Sequence, residues 1–168
     1  SSFGVELRYV SEDTPLGTAG ALGLIKETQD PLLVVNGDIL TDLDFRAMAV
    51  YHQDHGADLT VAVRQHGVRV PYGVIESDGV AVINIVEKPS MNFLINAGIY
   101  LLSPSANCIV RAGMRLDMPD LIQLLLEEKK KVVSFPIREY WIDIGRPADY
   151  EQAKQDISSS IKLKDDGG

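Results

Sequence analysis

Two aspartates that are far apart in the sequence share one local pattern. Asp38 follows the apolar run Leu32–Val35 and the pair Asn36-Gly37, and Asp143 follows Trp141-Ile142 and precedes a glycine by two positions. Short apolar runs bounded by Pro or Gly are typical of strands buried on both faces of a parallel sheet. Open α/β sheets bind their ligands at the carboxyl edge of such strands. If both strands lie in one sheet and point the same way, the two carboxylates meet at that edge.

A pair of neighbouring carboxylates predicts a cation. Two such groups repel each other unless a cation or a proton lies between them. Mg²⁺ is a hard ion that is commonly shared between one or two carboxylates and a substrate phosphate. We therefore expect Asp38 and Asp143 to hold Mg²⁺ if they converge. The alternative for Asn36-Gly37-Asp38, taken alone, is an ordinary turn, because Asn, Gly and Asp are the usual turn residues.

Four other segments have residue types suited to a phosphorylated ligand. Glu87-Lys88-Pro89 supplies a carboxylate for sugar hydroxyls and an ammonium for phosphate, although alone it would be the charged end of a hairpin. Asn96-Ala97-Gly98 offers an amide beside small residues, and Tyr72-Gly73 exposes backbone to close approach. A strand-end Asn and a hairpin Gly are the alternatives. Ser11–Gly20 is a Gly-containing loop that runs into a helix, where backbone amides can meet an anion or a base edge; most such loops are only turns.

The composition is typical of an ordinary globular protein of one domain. The chain has 168 residues, of which 45% are hydrophobic and 24% are charged, enough for a sizeable core. The formal net charge of −8 argues against nucleic acid or an anionic membrane as a partner, because both are polyanions. A bound phosphate must be held by local cations, backbone amides or a metal ion.

The cysteine and the histidines give little sign of redox or metal chemistry. Cys108 is the one cysteine and lies in an apolar context, so we expect a buried small hydrophobe rather than a nucleophile. No intrachain disulfide is possible. Because signal-peptide and membrane-length apolar patterns are also missing, we expect a reducing, cytoplasmic location. The histidines have no metal-ligand spacing with Cys108 and are expected at surface or helix positions: His52, His55 and His66.

Apolar runs and helical patterns alternate along the chain. This order predicts an α/β fold with three layers, α/β/α, around a mostly parallel, mixed sheet. We expect one partial domain over residues 1–157 and a polar tail over 158–168. The predicted strands are Phe3–Val10, Leu32–Val35, Asp58–Arg64, a hairpin of Tyr72–Glu76 with Val80–Glu87, Asn96–Leu102 and Val132–Pro136. The predicted helices are Ala19–Gln29 capped by Thr18, Phe45–His55 capped by Asp44, Pro104–Val110, Met118–Glu128 and Ala148–Ile157.

Six motifs in this order resemble those of one enzyme family. The chain resembles the sugar-1-phosphate nucleotidylyltransferases, and most closely the branch that is like mannose-1-phosphate guanylyltransferase. Each motif is weak alone, but together they cover nearly the whole chain. The resemblance implies a Rossmann-like fold of the nucleotide-diphospho-sugar transferase type. The motifs are Pro15–Leu22, Asn36-Gly37-Asp38, Tyr72–Ile75, Glu87-Lys88-Pro89, Asn96–Tyr100 and Trp141–Tyr150.

The resemblance also implies a reaction and roles for single residues. A sugar-1-phosphate oxygen would attack the α-phosphate of a nucleoside triphosphate, giving a nucleotide-sugar and pyrophosphate. Asp38 and Asp143 would hold Mg²⁺ and, with Lys88, would be the catalytic residues; Asp38 would also contact the nucleotide. The remaining implied contacts are Pro15, Gly17 and Thr18 along the nucleotide base, Gly73 and Asn96 at the sugar ring, Glu87 at sugar hydroxyls and Lys88 at the sugar phosphate.

One departure from the family pattern changes what we expect of the chain. Family members begin with a strand and a Gly-rich loop carrying Arg and Lys that grips the triphosphate, and no segment here matches it. We therefore expect an N-terminally truncated form of the fold, with little or no transferase activity alone. A sheet that lacks an internal strand has an unpaired edge, so we also expect a homo-oligomer or a strand-exchanged dimer.

Two other functions remain open. A non-catalytic module that binds or senses a sugar phosphate or nucleotide-sugar would keep the sugar side of the site and lose the triphosphate side. A nucleotide-binding oxidoreductase is disfavoured, because no Gly-x-Gly-x-x-Gly follows a strand. Leu16–Gly20 favours guanine through likeness to the branch, and the sequence does not choose the sugar.

Overall fold

The protein is described by a computed structural model that covers residues 4–25 and 29–165, with side chains up to residue 159. The strands in chain order are β1 (Leu32–Val35), β2 (Ile39–Thr41), β3 (Leu59–Arg69), β4 (Gly73–Asp78), β5 (Ala81–Glu87), β6 (Ser90–Leu102), β7 (Val132–Pro136) and β8 (Trp141–Asp143). The helices are α1 (Gly17–Gly20), α2 (Phe45–Asp54), α3 (Pro104–Asn107), α4 (Met118–Glu127) and α5 (Pro147–Asp165).

A mixed four-stranded sheet in the order β1-β6-β3-β7 lies at the centre of the fold. β6 is antiparallel to both β1 and β3, whereas β7 is parallel to β3. Three strands therefore run in one direction and β6 runs against them. Two further ladders stand outside this sheet: β2 pairs with β8, and β4 pairs with β5, each antiparallel.

Hydrophobic clusters cover both faces of the sheet. On one face, Leu59 and Leu102 pack with Leu121 and Leu125 of α4 and with Ala106 of α3. On the other face, the cluster combines Ile99 and Leu101 of β6 with Met48 of α2. These two clusters confirm the predicted three-layer α/β/α arrangement, and each is built from alternate residues of β6, as the strand period of two requires.

Local signals place several elements correctly. Asp44 caps α2, because its carboxylate accepts hydrogen bonds from the backbone N–H groups of Arg46 at 2.9 Å and Ala47 at 3.0 Å. The hairpin of β4 and β5 turns at Gly79, whose φ of +56° suits the tight connection. β7 has the predicted boundaries, and α4 ends one residue earlier than predicted, at Glu127.

Several expectations about the first 35 residues are wrong. Gly4–Val10 contain no strand, and Phe3 lies outside the described residues. Thr18 does not cap a long helix: it lies inside α1, which is followed by a single 3₁₀ turn at Ala21–Leu24; residues 26–28 are outside the described part. β1 is a strand, but it is not buried on both faces, because it is outermost in the sheet.

Other predicted boundaries and exposures also need correction. α3 is shorter than predicted, and α5 continues past Ile157 to Asp165. Cys108 is exposed rather than buried, since it follows the last residue of α3 on its outer side. In the part of the chain that the structure describes, no helix combines the length and apolar character needed to cross a bilayer.

β3 and β6 extend well beyond the core as a two-stranded arm. The arm pairs 64–69 of β3 with 90–95 of β6 and leads into the β4–β5 hairpin. Most arm residues are exposed, including the apolar side chains of Phe93 and Leu94. The sequence predicted β3 only to Arg64 and β6 only from Asn96. Gln65, His66 and Gly67 interrupt the apolar pattern of β3, and residues 90–95 of β6 are largely apolar but do not keep a regular alternation.

His52 is a buried histidine that ties α2 to the sheet. Its Nδ1 lies 2.8 Å from Thr60 Oγ1 and its Nε2 lies 3.0 Å from Ser103 Oγ. Burial lowers the pKa of His52 below its ordinary value of 6.5, and this effect outweighs the opposing attraction of Asp58. The neutral imidazole is therefore the form that the folded chain prefers.

We predict that acidification destabilises the fold through His52. Because its pKa is lower in the folded than in the unfolded chain, the unfolded chain takes up the proton first. The free energy of unfolding should fall as the pH drops through 6.5 and should level off below the folded pKa. Urea unfolding at about pH 7.5 and about pH 5.5 measures this fall in the free energy of unfolding. His52→Gln should show a smaller fall. His55→Gln, which changes an exposed histidine, should show the same fall as the unchanged protein. An unchanged fall in His52→Gln would contradict this assignment.

Candidate functional site

The structure brings Asp38 and Asp143 together. The β2–β8 ladder pairs Ile39 with Asp143, so Asp38, one residue before β2, lies beside the end of β8. The backbone N–H of Ile144 donates to the Asp38 carbonyl at 2.8 Å and extends the ladder. The two aspartates do not meet as ends of parallel strands in one sheet, as the sequence had suggested, but across an antiparallel pair outside the main sheet.

Gly145 marks the space between the two carboxylates. A Cβ atom built on Gly145 would lie 3.0 Å from Asp143 Oδ1 and 3.2 Å from Asp38 Oδ2, so one oxygen of each carboxylate faces the same point. The Gly145 N–H donates to Asp143 Oδ1 at 2.8 Å and fixes its orientation. No third His, Cys, Asp or Glu of the described residues completes a metal cluster. The donor set therefore fits Mg²⁺, which takes one or two carboxylates and fills its other positions with water and substrate oxygens.

A cavity of 570 Å³ opens beside the aspartate pair. Its lining residues are Asp38, Arg64, His66, Ile95, Trp141, Ile142, Asp143, Gly145, Arg146 and Asp149. Arg146 forms an ion pair from Nε to Asp149 Oδ2 at 2.6 Å, and its side chain is 83% exposed. Arg64 donates from Nη1 to the Trp141 carbonyl at 3.0 Å.

The segment Asn96-Ala97-Gly98 forms a bulge in β6. Val61 pairs with Tyr100 but Val63 pairs with Asn96, so one residue of β3 faces three residues of β6. Three of the backbone groups in the bulge have partners outside the β3–β6 ladder. The Trp141 indole N–H donates to the Ala97 carbonyl at 2.9 Å, the Asn36 N–H donates to the Gly98 carbonyl at 2.9 Å, and the Gly98 N–H donates to Asn96 Oδ1 at 3.0 Å.

Gly98 has no room for a side chain. Its φ is +71°, in the left-handed region that L-residues avoid. A Cβ atom here would lie 2.8 Å from Asn36 Nδ2. The glycine thus allows Asn36 to lie against the bulge, at the end of β1.

The loop that runs into α1, residues 15–18, is attached to the start of α4. The N–H of Thr18 donates to Asp117 Oδ1 at 2.9 Å, and the Thr18 hydroxyl accepts from the N–H of Met118 at 2.9 Å. Thr18 therefore caps α4 rather than the helix that contains it. Gly17 lies against the backbone of Leu116, where a Cβ would come within 2.6 Å of the carbonyl oxygen. Pro15 is exposed in the same loop.

Two more cavities connect this loop with the aspartates. One of 400 Å³ is lined by Thr18, Asn36, Asn96, Gly98, Tyr100, Asp117 and Pro119. The next, of 530 Å³, is lined by Thr18, Val34, Val35, Asn36, Gly37 and Asp38. Because the two share Thr18 and Asn36, and the second shares Asp38 with the cavity beside the aspartates, the three cavities adjoin one another around the carboxyl end of β1; they are called the cleft below.

Gly73, Glu87 and Lys88 lie together on the hairpin. Gly73 pairs with Glu87 across the ladder, and Glu87 Oε1 lies 3.7 Å from Lys88 Nζ. Lys88 has a φ of +47°, an uncommon conformation for a residue with a side chain. None of these three residues lines the cleft. The structure thus places them apart from Asn96, the fourth residue expected at the sugar.

Sequence reasoning missed several residues of the cleft. Arg64 was the last residue of a predicted strand, His66 lay beyond that strand, and Asp117 was the residue before a predicted helix. Arg64 follows the largely apolar run Leu59–Val63, so its sequence position gave no local sign of a place in the cleft. Asp117, in contrast, precedes Pro119 at a helix start, which is typical of a capping residue.

The chain belongs to the nucleotidyl transferase family, whose model matches residues 1–160. A mannose-1-phosphate guanyltransferase from Candida albicans is 34% identical over 158 residues, covering 88% of this chain and 43% of that protein. The fold is similar to that of a Bacillus anthracis protein assigned as a glucose-1-phosphate thymidylyltransferase, with a TM-score of 0.66 at 24% identity over 90% of this chain and 65% of that one. HddC from Yersinia pseudotuberculosis, complexed with GMP-PN, gives a TM-score of 0.59 at 28% identity, covering 87% of this chain and 64% of that one.

These relatives are longer than the chain. It spans less than half the length of the curated relatives that it matches. Family membership and an α/β fold of the nucleotidyltransferase type follow directly. The activity, substrates and partners of the whole protein are matters for proposal.

We predict that Gly98→Ala lowers the free energy of unfolding by more than Gly113→Ala. Gly113 has a similar φ of +78° but has no neighbouring atom within 4 Å of a built Cβ, so its substitution costs only the backbone strain of about 1–2 kcal/mol. Gly98→Ala adds the collision with Asn36. Urea unfolding of both variants measures the difference, and equal losses would show that Asn36 moves away without cost.

Proposed function

We propose that this chain carries the metal-binding and sugar-phosphate-binding residues of a sugar-1-phosphate nucleotidylyltransferase of the GTP and mannose-1-phosphate type. The observation that carries the proposal is that Asp38 Oδ2 and Asp143 Oδ1 both lie within 3.2 Å of one point, next to an open cleft. Family membership and the mannose-1-phosphate guanyltransferase relative support the same reaction class.

In the proposed reaction, an oxygen of the sugar-1-phosphate attacks the α-phosphorus of the nucleotide. A new P–O bond forms, the bond from the α-phosphorus to the β-phosphate oxygen breaks, and pyrophosphate leaves with the electron pair. When bound, Mg²⁺ supplies neutralisation of phosphate charge. Asp38 and Asp143 hold it, and the Gly145 N–H keeps Asp143 in place. The reaction needs no protein nucleophile, so the exposed Cys108 has no role in it.

The base of the nucleotide is proposed to lie along the loop that runs into α1. Thr18 lines two of the cavities, one of which also contains Asp38, and its hydrogen bonds to Asp117 and Met118 attach the loop to α4. Gly17 and Pro15 complete this loop. The complex of HddC with GMP-PN supports a guanine nucleotide as the donor.

The sugar is proposed to lie between the cleft and the hairpin. Asn96 lines the cleft, and its amide N–H donates to the Tyr100 hydroxyl at 2.8 Å, which fixes the amide. Glu87, Lys88 and Gly73 are on the hairpin at the end of the arm. Glu87 and Lys88 are exposed, and among the described side chains the ion pair that each forms is with the other, across 3.7 Å, so they are accessible to sugar hydroxyls and phosphate.

We predict that Asp38→Asn and Asp143→Asn each weaken divalent-metal binding by about 10-fold or more, because even the outer partners of metal ligands contribute that much. The measurement is the electron paramagnetic resonance signal of free Mn²⁺, titrated in the presence of GDP-mannose. Asp149→Asn removes a carboxylate from the same cavity that is paired with Arg146, and serves as the matched control. Equal binding by all four proteins would remove the aspartate pair from the site.

Pyrophosphate release with GTP, Mg²⁺ and mannose 1-phosphate tests turnover by the same protein. Arg64 and Arg146 are the cationic residues that line the cleft. Two cations are few to neutralise the charge of a triphosphate, so we expect little or no turnover by this chain alone. Robust turnover would contradict that expectation. Binding of GDP-mannose without turnover would favour a non-catalytic binding module.

We also predict that the chain self-associates through β1. β1 has one neighbour among the described strands, and Leu33 and Val35 on it are each 40% exposed; an unpaired apolar edge of this kind pairs readily with another strand. Light scattering over a concentration series should give a mass above that of a monomer. Leu33→Lys should lower it, whereas Val82→Lys on the hairpin should not. A monomer at every concentration would exclude this association.

A further inference from the structure

The cavity beside the aspartates contains a guanidinium that no carboxylate neutralises. Arg64 is half-buried on β3, and among the ion pairs of the described residues none within 4.0 Å involves it. Arg146, the other cation in this cavity, is paired with Asp149. Arg64 therefore contributes the positive charge that is available to an anion in this cavity.

The Arg64 side chain is held in place by Trp141. Arg64 Nη1 donates to the Trp141 carbonyl at 3.0 Å, and the guanidinium carbon lies 5.7 Å from the centroid of the indole ring. Trp141 is itself fixed by its hydrogen bond to Ala97. A guanidinium carries five N–H donors in a planar fork, so most of them remain for another acceptor, and little rotamer entropy is lost when one binds.

The position of Arg64 indicates which anion it takes. Asp38 and Asp143 line the same cavity but lie too far away for direct ion pairs with Arg64, which leaves room for a group between them. Along β3, Arg64 lies between this cavity and Arg69, where the arm passes into the hairpin that carries Glu87 and Lys88. A phosphate here would lie between the metal-binding side and the sugar-binding side of the proposed site.

We propose that Arg64 binds the sugar-linked phosphate of the substrate and positions it against the Asp38–Asp143 pair. Lys88 lies beyond the far end of the arm and does not line this cavity, so the phosphate contact is assigned to Arg64. The proposal rests on the proposed function for the identity of the ligand, and on the geometry of Arg64, Trp141 and the two aspartates for the place where its phosphate binds. Bidentate recognition of phosphate by a fixed guanidinium is the contact that Arg makes and Lys does not.

Binding of an anion at Arg64 can be followed by the fluorescence of Trp141. Trp141 is its single tryptophan and lies against the Arg64 guanidinium, so an anion that binds Arg64 changes the surroundings of the indole. Titration of mannose 1-phosphate in the presence of Mg²⁺, followed by Trp141 emission and confirmed by calorimetry, gives the dissociation constant.

Arg64→Gln should weaken this binding by about 10- to 100-fold, the loss expected for a hydrogen bond between charged groups. The Gln amide can still donate to the Trp141 carbonyl, which protects the fold. Arg64→Lys keeps the charge without the fork and should lose less than Arg64→Gln. Arg46→Gln removes an exposed cation of α2 that lines none of the three cavities, and this variant should bind as the unchanged protein does. Circular dichroism and thermal unfolding confirm that each variant is folded.

The outcomes separate this inference from the proposed function. If mannose 1-phosphate binds equally well to the unchanged protein and to both Arg64 variants, Arg64 is not its phosphate ligand and the proposed function stands. If mannose 1-phosphate does not bind but inorganic phosphate binds in a manner that depends on Arg64, the phosphate site stands and the proposed substrate is wrong. If neither compound binds the unchanged protein, the inference is overturned.

Discussion

The hydrogen bond from the Trp141 indole to the Ala97 carbonyl joins the central sheet to the strand that carries Asp143. The carbonyl is available because the bulge takes part of β6 out of its ladder with β3. β2 and β8 alone would be a short two-stranded pair, a structure that is marginally stable in water. The packing of Trp141 against the cluster around Ile99 and this hydrogen bond anchor the pair to the core. The position of the carboxylate pair relative to the central sheet therefore depends on a backbone irregularity in a different sheet.

Elements with purely local causes could be predicted from the sequence. The Asp44 cap, the turn at Gly79 and the apolar runs of β1 and β7 need only their neighbours in the chain to form, and the structure contains all of them. The burial of β1 could not be predicted in the same way. An apolar run shows that a strand is favourable, but its burial depends on how many strands lie beside it, and that number is a property of the whole sheet.

The sequence suggested the meeting of Asp38 and Asp143 only on a condition, that their strands lie in one sheet and point the same way. The carboxylates do lie together, but the ladder that joins them is antiparallel and lies outside the main sheet, so the condition itself is not met. Arg64 was missed because its place in the cleft is set by the register of β3 against β6 and by the position of Trp141. These are non-local relations, and no short stretch of sequence contains them.

The bulge also limits how the length of β6 can change. It sets three residues, 97–99, opposite the single Ala62, an excess of two over regular pairing. Because side chains alternate between faces with a period of two, this even excess keeps Ile95 on the face of Trp141 and Asn96 on the face of Tyr100. Loss or gain of one residue here would exchange the two faces of the whole arm. Only insertions or deletions of an even number of residues in β6 keep the same side chains on the face that lines the proposed binding surface. Natural selection can therefore distinguish even from odd changes in the length of this strand.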